Sequence, residues 1–280
     1  MARLGETQYG KARVRLSRIM RQGHRHEFNE WTVTVLLQGE FAAAFTAADN
    51  SGILPTDTMK NTVYSLARDS HAATIEQFAL EVGDYLLRSN PQVSGARVEV
   101  QEKSWQRMHT GTENDATTFR MGGPEVQTTA AAGSREKGWA IQSGIDGLTI
   151  LKTTHSEFTG YIQNRHTTLK PSTDRIFGTC AKVQWDFEAM APDFAGARQR
   201  ITDAILRVFT AHHSMSVQHT LYDMAEAALE AAPEIARIKL TMPNLHHILA
   251  DLSPFGQDNP NHIFMPIDEP HGYIEATVER

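Results

Sequence analysis

The sequence predicts an α+β protein built as two tandem units, residues 1–135 and 136–280. Three observations lead there. Several segments alternate apolar and polar residues, as antiparallel strands with one wetter face do. Helical stripes are fewer and fall between groups of strands. The order strands, helix pair, strands runs once up to about residue 135 and again to residue 280, the pattern of a duplicated unit.

In chain order, the basic residues Lys11, Arg13 and Arg15 alternate with Ala12, Val14 and Leu16, a first strand. Residues 32–41 set Val33, Val35 and Leu37 against Thr32, Thr34 and Leu36, a strand with one better-buried face. Thr56-Asp57 stands at a strand-to-helix junction and offers N-cap chemistry to the helix after it. Thr74-Ile75-Glu76-Gln77 has capping-box spacing, followed by Ile75, Phe78, Ala79, Val82, Tyr85 and Leu86 on one face. Val98 and Val100 mark the next strand. Residues 109–137, with Gly122-Gly123-Pro124 and Ala130-Ala131-Ala132-Gly133, read as a polar or loosely structured connection holding one short strand.

The second half repeats the order with strands at Ile141, Ile145 and residues 148–151, at Val183 and Trp185, and at Ile238, Leu240 and Met242. Its helices carry Ile201, Ile205, Leu206, Val208 and Phe209, then residues 221–231. Ser172-Thr173-Asp174-Arg175-Ile176 echoes the Thr56 junction. Arg175 is thus expected at a helix N-terminus, an awkward place for a cation unless something anionic faces it.

Composition narrows the function. A net charge of −6 and a pI near 6.1 disfavour a general nucleic-acid binder, which needs a basic face. One cysteine, Cys180, excludes an intramolecular disulfide; it is expected in a strand as a buried, inert thiol, in a reducing compartment. No run reaches the roughly 20 apolar residues of a membrane span, the N-terminus lacks a signal-peptide core, and Thr277-Val278-Glu279-Arg280 is not a peroxisomal signal. A cytoplasmic protein is expected. No phosphate-binding loop, dinucleotide fingerprint or HExxH motif occurs. The 13 histidines include His24-Arg25-His26, His212-His213 and His246-His247, but neighbouring histidines on a strand point to opposite faces, so no metal is expected. A surface or packing role suits His24, His26, His212 and His213.

A set of short blocks carries a family resemblance: Gln8-Tyr9-Gly10-Lys11, residues 56–64 (TDTMKNTVY), His155-Ser156-Glu157-Phe158 with Thr167-Thr168-Leu169, Thr173-Asp174-Arg175-Ile176, Ser216-Val217-Gln218 and Pro243-Asn244-Leu245-His246-His247. Together and in this order they resemble the cofactor-independent urate oxidases, over nearly the whole chain. The resemblance implies two tunnelling-fold domains, each an antiparallel sheet with helices on one face. It also implies sheets that close into a barrel when subunits pair, a homotetramer, and active sites between subunits. The implied reaction takes urate, O₂ and water to 5-hydroxyisourate and H₂O₂ with no cofactor.

Residue roles follow from the same resemblance. Lys11 is the base of a relay with Thr56 and His246, which suits a lysine only where desolvation or cationic neighbours make its amine available. Thr56 and Asp57 meet the purine from one subunit. Phe158 stacks on it, Arg175 and Gln218 grip its edges, Leu169 and Val217 line the pocket, and Asn244 holds O₂ or water above the ring. Leu245 departs from the lysine expected there, and Pro55 and Pro171-Ser172 depart in the loops. Two other readings stand beside this one: another tunnelling-fold enzyme of pterin or purine metabolism, using zinc or a cysteine, and a non-catalytic purine-binding oligomer.

Overall fold

The computed structural model describes residues 2–110, 113–188 and 193–280. Among them are β1 (Tyr9–Gln22), β2 (Arg25–Gly39), α1 (Ala42–Thr46), α2 (Thr56–Asp69), α3 (Ile75–Ser89), β3 (Val93–Thr110), β4 (Glu113–Ser134) and β5 (Gly138–Lys152). Then follow β6 (Phe177–Phe187), α4 (Phe194–Ala211), α5 (Val217–Ala231), β7 (Ile235–Leu249) and β8 (Phe264–Glu279). Each strand is hydrogen-bonded to the next in chain order. This is the α+β architecture that the alternation predicts. By contacts the chain falls into two compact units, 1–145 with 186–195, and 146–185 with 196–280. No described helix is long and apolar enough to cross a membrane.

In the first unit the inward face of β2 is the set the sequence picks out. Val33, Val35 and Leu37 are fully buried, and Val33 and Val35 face Val100 and Val98 across the antiparallel β2–β3 ladder. Helix α2 adds Met59, Val63 and Ala67 at four-residue spacing, and α3 adds Ile75, Phe78, Ala79, Val82 and Leu86. The Trp31 and Phe78 rings stack with centroids 4.7 Å apart. Each large side chain buried in this way contributes on the order of 1.5–3 kcal/mol relative to exposure. Thr74 caps α3 by accepting from the Gln77 N–H, and the Gln77 side chain in turn accepts from the Ala73 N–H, close to the predicted capping box. Gly83 lets that helix meet Trp139, because a Cβ there would lie 2.2 Å from the indole.

The second unit buries Val183 and Trp185 on β6, Ile201, Ala204 and Ile205 on α4, and Leu221, Met224, Ala225 and Ala228 on α5. Ile238, Leu240 and Met242 on β7 are fully buried, with α5 packed over β7 and β8.

Four expectations are corrected here. Residues 113–134 form the long strand β4, not a loose connection with a short strand. Its Gly122-Gly123-Pro124 segment is a bulge: Lys103 pairs with Val126 and Trp105 with Met121, so Ser104 alone faces four residues. Proline, lacking an N–H, is tolerated where the ladder is already interrupted. The remainder of that expectation, residues 111 and 112, lies outside the described residues. The second junction opens no helix, since Thr173–Ile176 lead into strand β6, and Arg175 therefore has no helix dipole to oppose. Neither Thr56 nor Asp57 is an N-cap: Pro55 holds that position without a side-chain bond, and Thr56 is the first helical residue. Cys180 lies in β6 as expected but is only partly buried.

Candidate active site

In the first unit, Lys11 stands where β1 departs from regular pairing. Lys11 faces Val35, but the register shifts between Lys11 and Val14, and Arg13 adopts φ 59° while its N–H donates to Thr34 Oγ1 at 3.2 Å. A bulge of this kind re-aims the side chains around it. The glycine before it is required for packing, because a Cβ on Gly10 would lie 1.8 Å from the Val35 carbonyl oxygen. Tyr9 then ties this end of β1 to the segment ahead of α2. Its hydroxyl accepts from the Leu54 N–H at 2.8 Å and donates to the Leu54 carbonyl at 3.1 Å. Burial pushes the Tyr9 phenol upward in pKa, so it stays a neutral linker.

Pro55 suits this helix start, since it fixes φ before the first turn. The first helix bond runs from the Met59 N–H to the Pro55 carbonyl at 3.2 Å. The N–H groups of Thr56, Asp57 and Thr58 therefore precede the first intrahelical bond and point along the axis, an arrangement that favours anions and strong acceptors. Asp57 does not cap them. Its carboxylate accepts from Lys60 and, at 3.0 Å, from the Asn61 amide. The Lys60 bond, with a smaller contribution from the charge of Lys11, holds Asp57 below the usual carboxylate pKa. Lys11 and Asp57 thus share one electrostatic neighbourhood.

The second unit assembles its residues through crossing loops. The Glu157 N–H donates to the Ser214 carbonyl at 2.7 Å and the Ser214 N–H to the His155 carbonyl at 2.9 Å. Phe158 and Ser172 exchange a pair of backbone bonds, and the Arg175 N–H donates to the Ser156 carbonyl at 2.8 Å. These bonds bring Phe158 and Arg175 beside the segment that enters α5. There Ser216 caps the helix by accepting from the His219 N–H at 3.1 Å, Val217 is buried, and Gln218 is exposed in the first turn.

The Arg175 guanidinium lies 5.2 Å from the Phe158 ring centroid, whose ring also stacks on Tyr161 at 4.8 Å and 9°. Burial draws the Arg175 pKa downward. Its Nε is buried without a hydrogen-bond partner. A desolvated, incompletely paired guanidinium over an aromatic face suits a planar anion, which can stack and accept hydrogen bonds in the plane of the fork.

Leu169 is exposed in the same loop, where its carbonyl accepts from the Tyr161 hydroxyl at 2.7 Å. Asn244 and His246 flank a β7–β8 bulge: Asn244 pairs with Gly272 and His246 with Ile267, so Leu245 faces four residues of β8. The structure thus groups Lys11, Thr56 and Asp57 in one unit and Phe158, Arg175, Val217 and Gln218 in the other, with Asn244 and His246 on β7 of the latter. Sequence reasoning gave no role to Tyr9 or Tyr161. The signal for Tyr161 was an aromatic pair, three residues apart, inside an otherwise polar loop.

The chain is similar to known proteins over nearly its whole length. The family model described as Uricase matches residues 7–131 and 141–275. The uricase of Arthrobacter globiformis is 43% identical over 279 residues, spanning 99% of this chain and 90% of that protein. The Dictyostelium discoideum uricase is 32% identical over 282 residues, spanning 100% of this chain and 98% of the relative. The crystal structure of the Arthrobacter globiformis uricase superposes with a TM-score of 0.94 at 42% identity, covering 100% of this chain and 96% of that one. A Bacillus fastidious uricase structure, 23% identical, matches in fold with a TM-score of 0.85, covering 98% of this chain and 93% of that one. The chain belongs to the uricase family.

Proposed function

We propose that the protein is a urate oxidase: urate, O₂ and water give 5-hydroxyisourate and H₂O₂. Urate gives up two electrons, and O₂ takes both with two protons. The observation that carries the reading is the desolvated Arg175 guanidinium over Phe158, beside the first turn of α5. The urate anion supplies the negative, planar partner that this group lacks. Arg175 and Gln218 hold its edges, Phe158 stacks on its face, and Leu169 and Val217 line the apolar walls.

The first unit supplies the other half of the site. Thr56 and Asp57 present first-turn N–H groups to the purine's acceptor atoms. Lys11 removes a proton, the Thr56 hydroxyl passes it on, and His246 ends the relay; Asn244 positions O₂ or water above the ring. The electron-rich dianion reduces O₂ itself, so the protein's work is to bind, deprotonate and orient. Neither half both grips and deprotonates urate. We place the two halves on neighbouring subunits of a cytoplasmic homotetramer, each chain a tandem of domains 1–135 and 136–280.

The test separates binding from chemistry. Lys11→Met is expected to abolish loss of the urate absorbance band while an inert xanthine analogue still binds nearly as in the parent protein. Equal loss of analogue binding and turnover in Lys11→Met would remove Lys11 from the role of base.

A further inference from the structure

Among the described residues, a cluster of ligating side chains lies outside those assigned above. His212 follows α4, its N–H bonded to the Val208 carbonyl at 2.9 Å. His219 and Asp223 sit four residues apart on α5 and so share a face. His212 Nδ1 approaches Asp223 Oδ2 to 3.1 Å, and His219 Nε2 lies 3.8 Å from Asp223 Oδ1. The two imidazole centroids are 4.8 Å apart at 61°. One donor atom from each of the three residues lies within 4.8 Å of the others. The nearby Lys152 ammonium is engaged, donating to the Phe209 and His212 carbonyls. His213 turns instead toward Glu157, at 3.7 Å.

We propose that His212, His219 and Asp223 form a binding site for a divalent first-row transition metal, with Zn²⁺ the reference ion, that staples the end of α4 to the first two turns of α5. Two imidazoles and one carboxylate make the mixed N/O set that such ions take with a water in the fourth position. Calcium and magnesium prefer oxygen-only shells and are excluded by the same set. Zinc bonds of about 2.0–2.1 Å require ligand atoms roughly 3.3 Å apart in a tetrahedron. Each imidazole already stands near one of the two Asp223 oxygens, His212 at 3.1 Å from Oδ2 and His219 at 3.8 Å from Oδ1, and one donor atom per residue lies within 4.8 Å of the others. The widest gap closes by moving His219, whose side chain is 49% exposed, while His212, at 14%, is held in place by burial. Binding needs no residue given a role in urate chemistry, so it stands whether or not the oxidase reading does.

The full-length protein, dialysed against a chelator and then freed of it, is titrated with Zn²⁺ by calorimetry and, separately, with Co²⁺ by visible absorption. One ion per chain is expected, with Co²⁺ d–d bands of a low-coordinate site and a Zn²⁺-dependent rise in Tm. His219→Ala and Asp223→Asn should each weaken Zn²⁺ at least about 10-fold and abolish the Tm rise, while circular dichroism matches the parent protein; losing a group that merely orients a ligand costs about 10–100-fold, and losing a ligand costs no less. An unchanged affinity in the double variant His219→Ala/Asp223→Asn, or Ca²⁺ competing on equal terms with Zn²⁺, would overturn the assignment.

Discussion

Exchanging Arg175 for methionine should separate ligand affinity from fold stability, because in the free chain this guanidinium is desolvated, has a buried Nε with no hydrogen-bond partner among the described residues, and lies over the Phe158 ring at 5.2 Å. The fold loses one cation–π contact, about 0.5–2 kcal/mol, and is relieved of a buried, incompletely paired charge. The net change should fall within about 1 kcal/mol of zero, roughly 2–4 °C in Tm for a chain of this size. The bound anion, by contrast, loses charge-assisted hydrogen bonds of about 1.5–3 kcal/mol each. A fork that makes two of them predicts a loss of at least about 3 kcal/mol, which is more than 100-fold in the Kd of an inert xanthine analogue. Calorimetry of the analogue and a thermal melt on the same sample read both quantities. A variant that melts far below the parent yet binds the analogue unchanged would refute the reasoning and make Arg175 a structural residue.

Three further outcomes are expected. Gly10→Ala forces a methyl into the Val35 carbonyl, so the β1 bulge must shift; a loss of about 1–3 kcal/mol by denaturant melts, with turnover falling as Lys11 moves, is the expected result, and an unchanged melt would contradict it. Glu275, bound by Lys239 at 2.8 Å, by the Tyr273 hydroxyl at 2.7 Å and by Thr241 at 2.8 Å, has its pKa lowered from 4.5 to about 2. A depressed carboxylate stabilises fully above its unfolded value and loses that contribution as pH falls through the folded one, so acid melts of the parent and Glu275→Gln should converge between about pH 4.5 and 2; a constant offset would oppose this. Finally, inactive Lys11→Met/Thr56→Ala chains refolded with inactive Arg175→Ala/Gln218→Ala chains should regain part of the activity, as interfaces between copies of one chain permit, whereas mixed tetramers confirmed by mass that stay inactive would argue against a shared site.

Where one face of an element is buried, the sequence was readable. Val33, Val35 and Leu37 alternate because β2 has a core face and a wetter face, and the stripe of Ile75, Phe78, Ala79, Val82 and Leu86 on α3 marks the same core from its other side. What failed was local. Gly122-Gly123-Pro124 carries a turn signature, yet the pairing of β3 with β4 absorbs it as a bulge, a tertiary outcome that no local propensity contains. Thr173-Asp174-Arg175 resembled a helix start because its residue types suit a cap, but the same types also suit a loop held by the Phe158–Ser172 bridge. The candidate site was legible mainly as family blocks. Its geometry, in the Lys11 bulge with Arg13 at φ 59° and in the β7–β8 bulge between Asn244 and His246, leaves no period in the sequence. The His212, His219 and Asp223 cluster was missed for a similar reason, since its three members join the end of one helix to the start of the next.

The most direct measurement is the stoichiometry of turnover by metal-depleted protein. Oxygen uptake, peroxide release and loss of the urate band are followed together on one chelated sample whose metal content is determined in parallel. The account predicts one O₂ consumed and one H₂O₂ formed for each urate, at a rate that added zinc, copper or iron does not restore or raise. No urate loss in the depleted protein, with activity returning on addition of one of those metals, would contradict it.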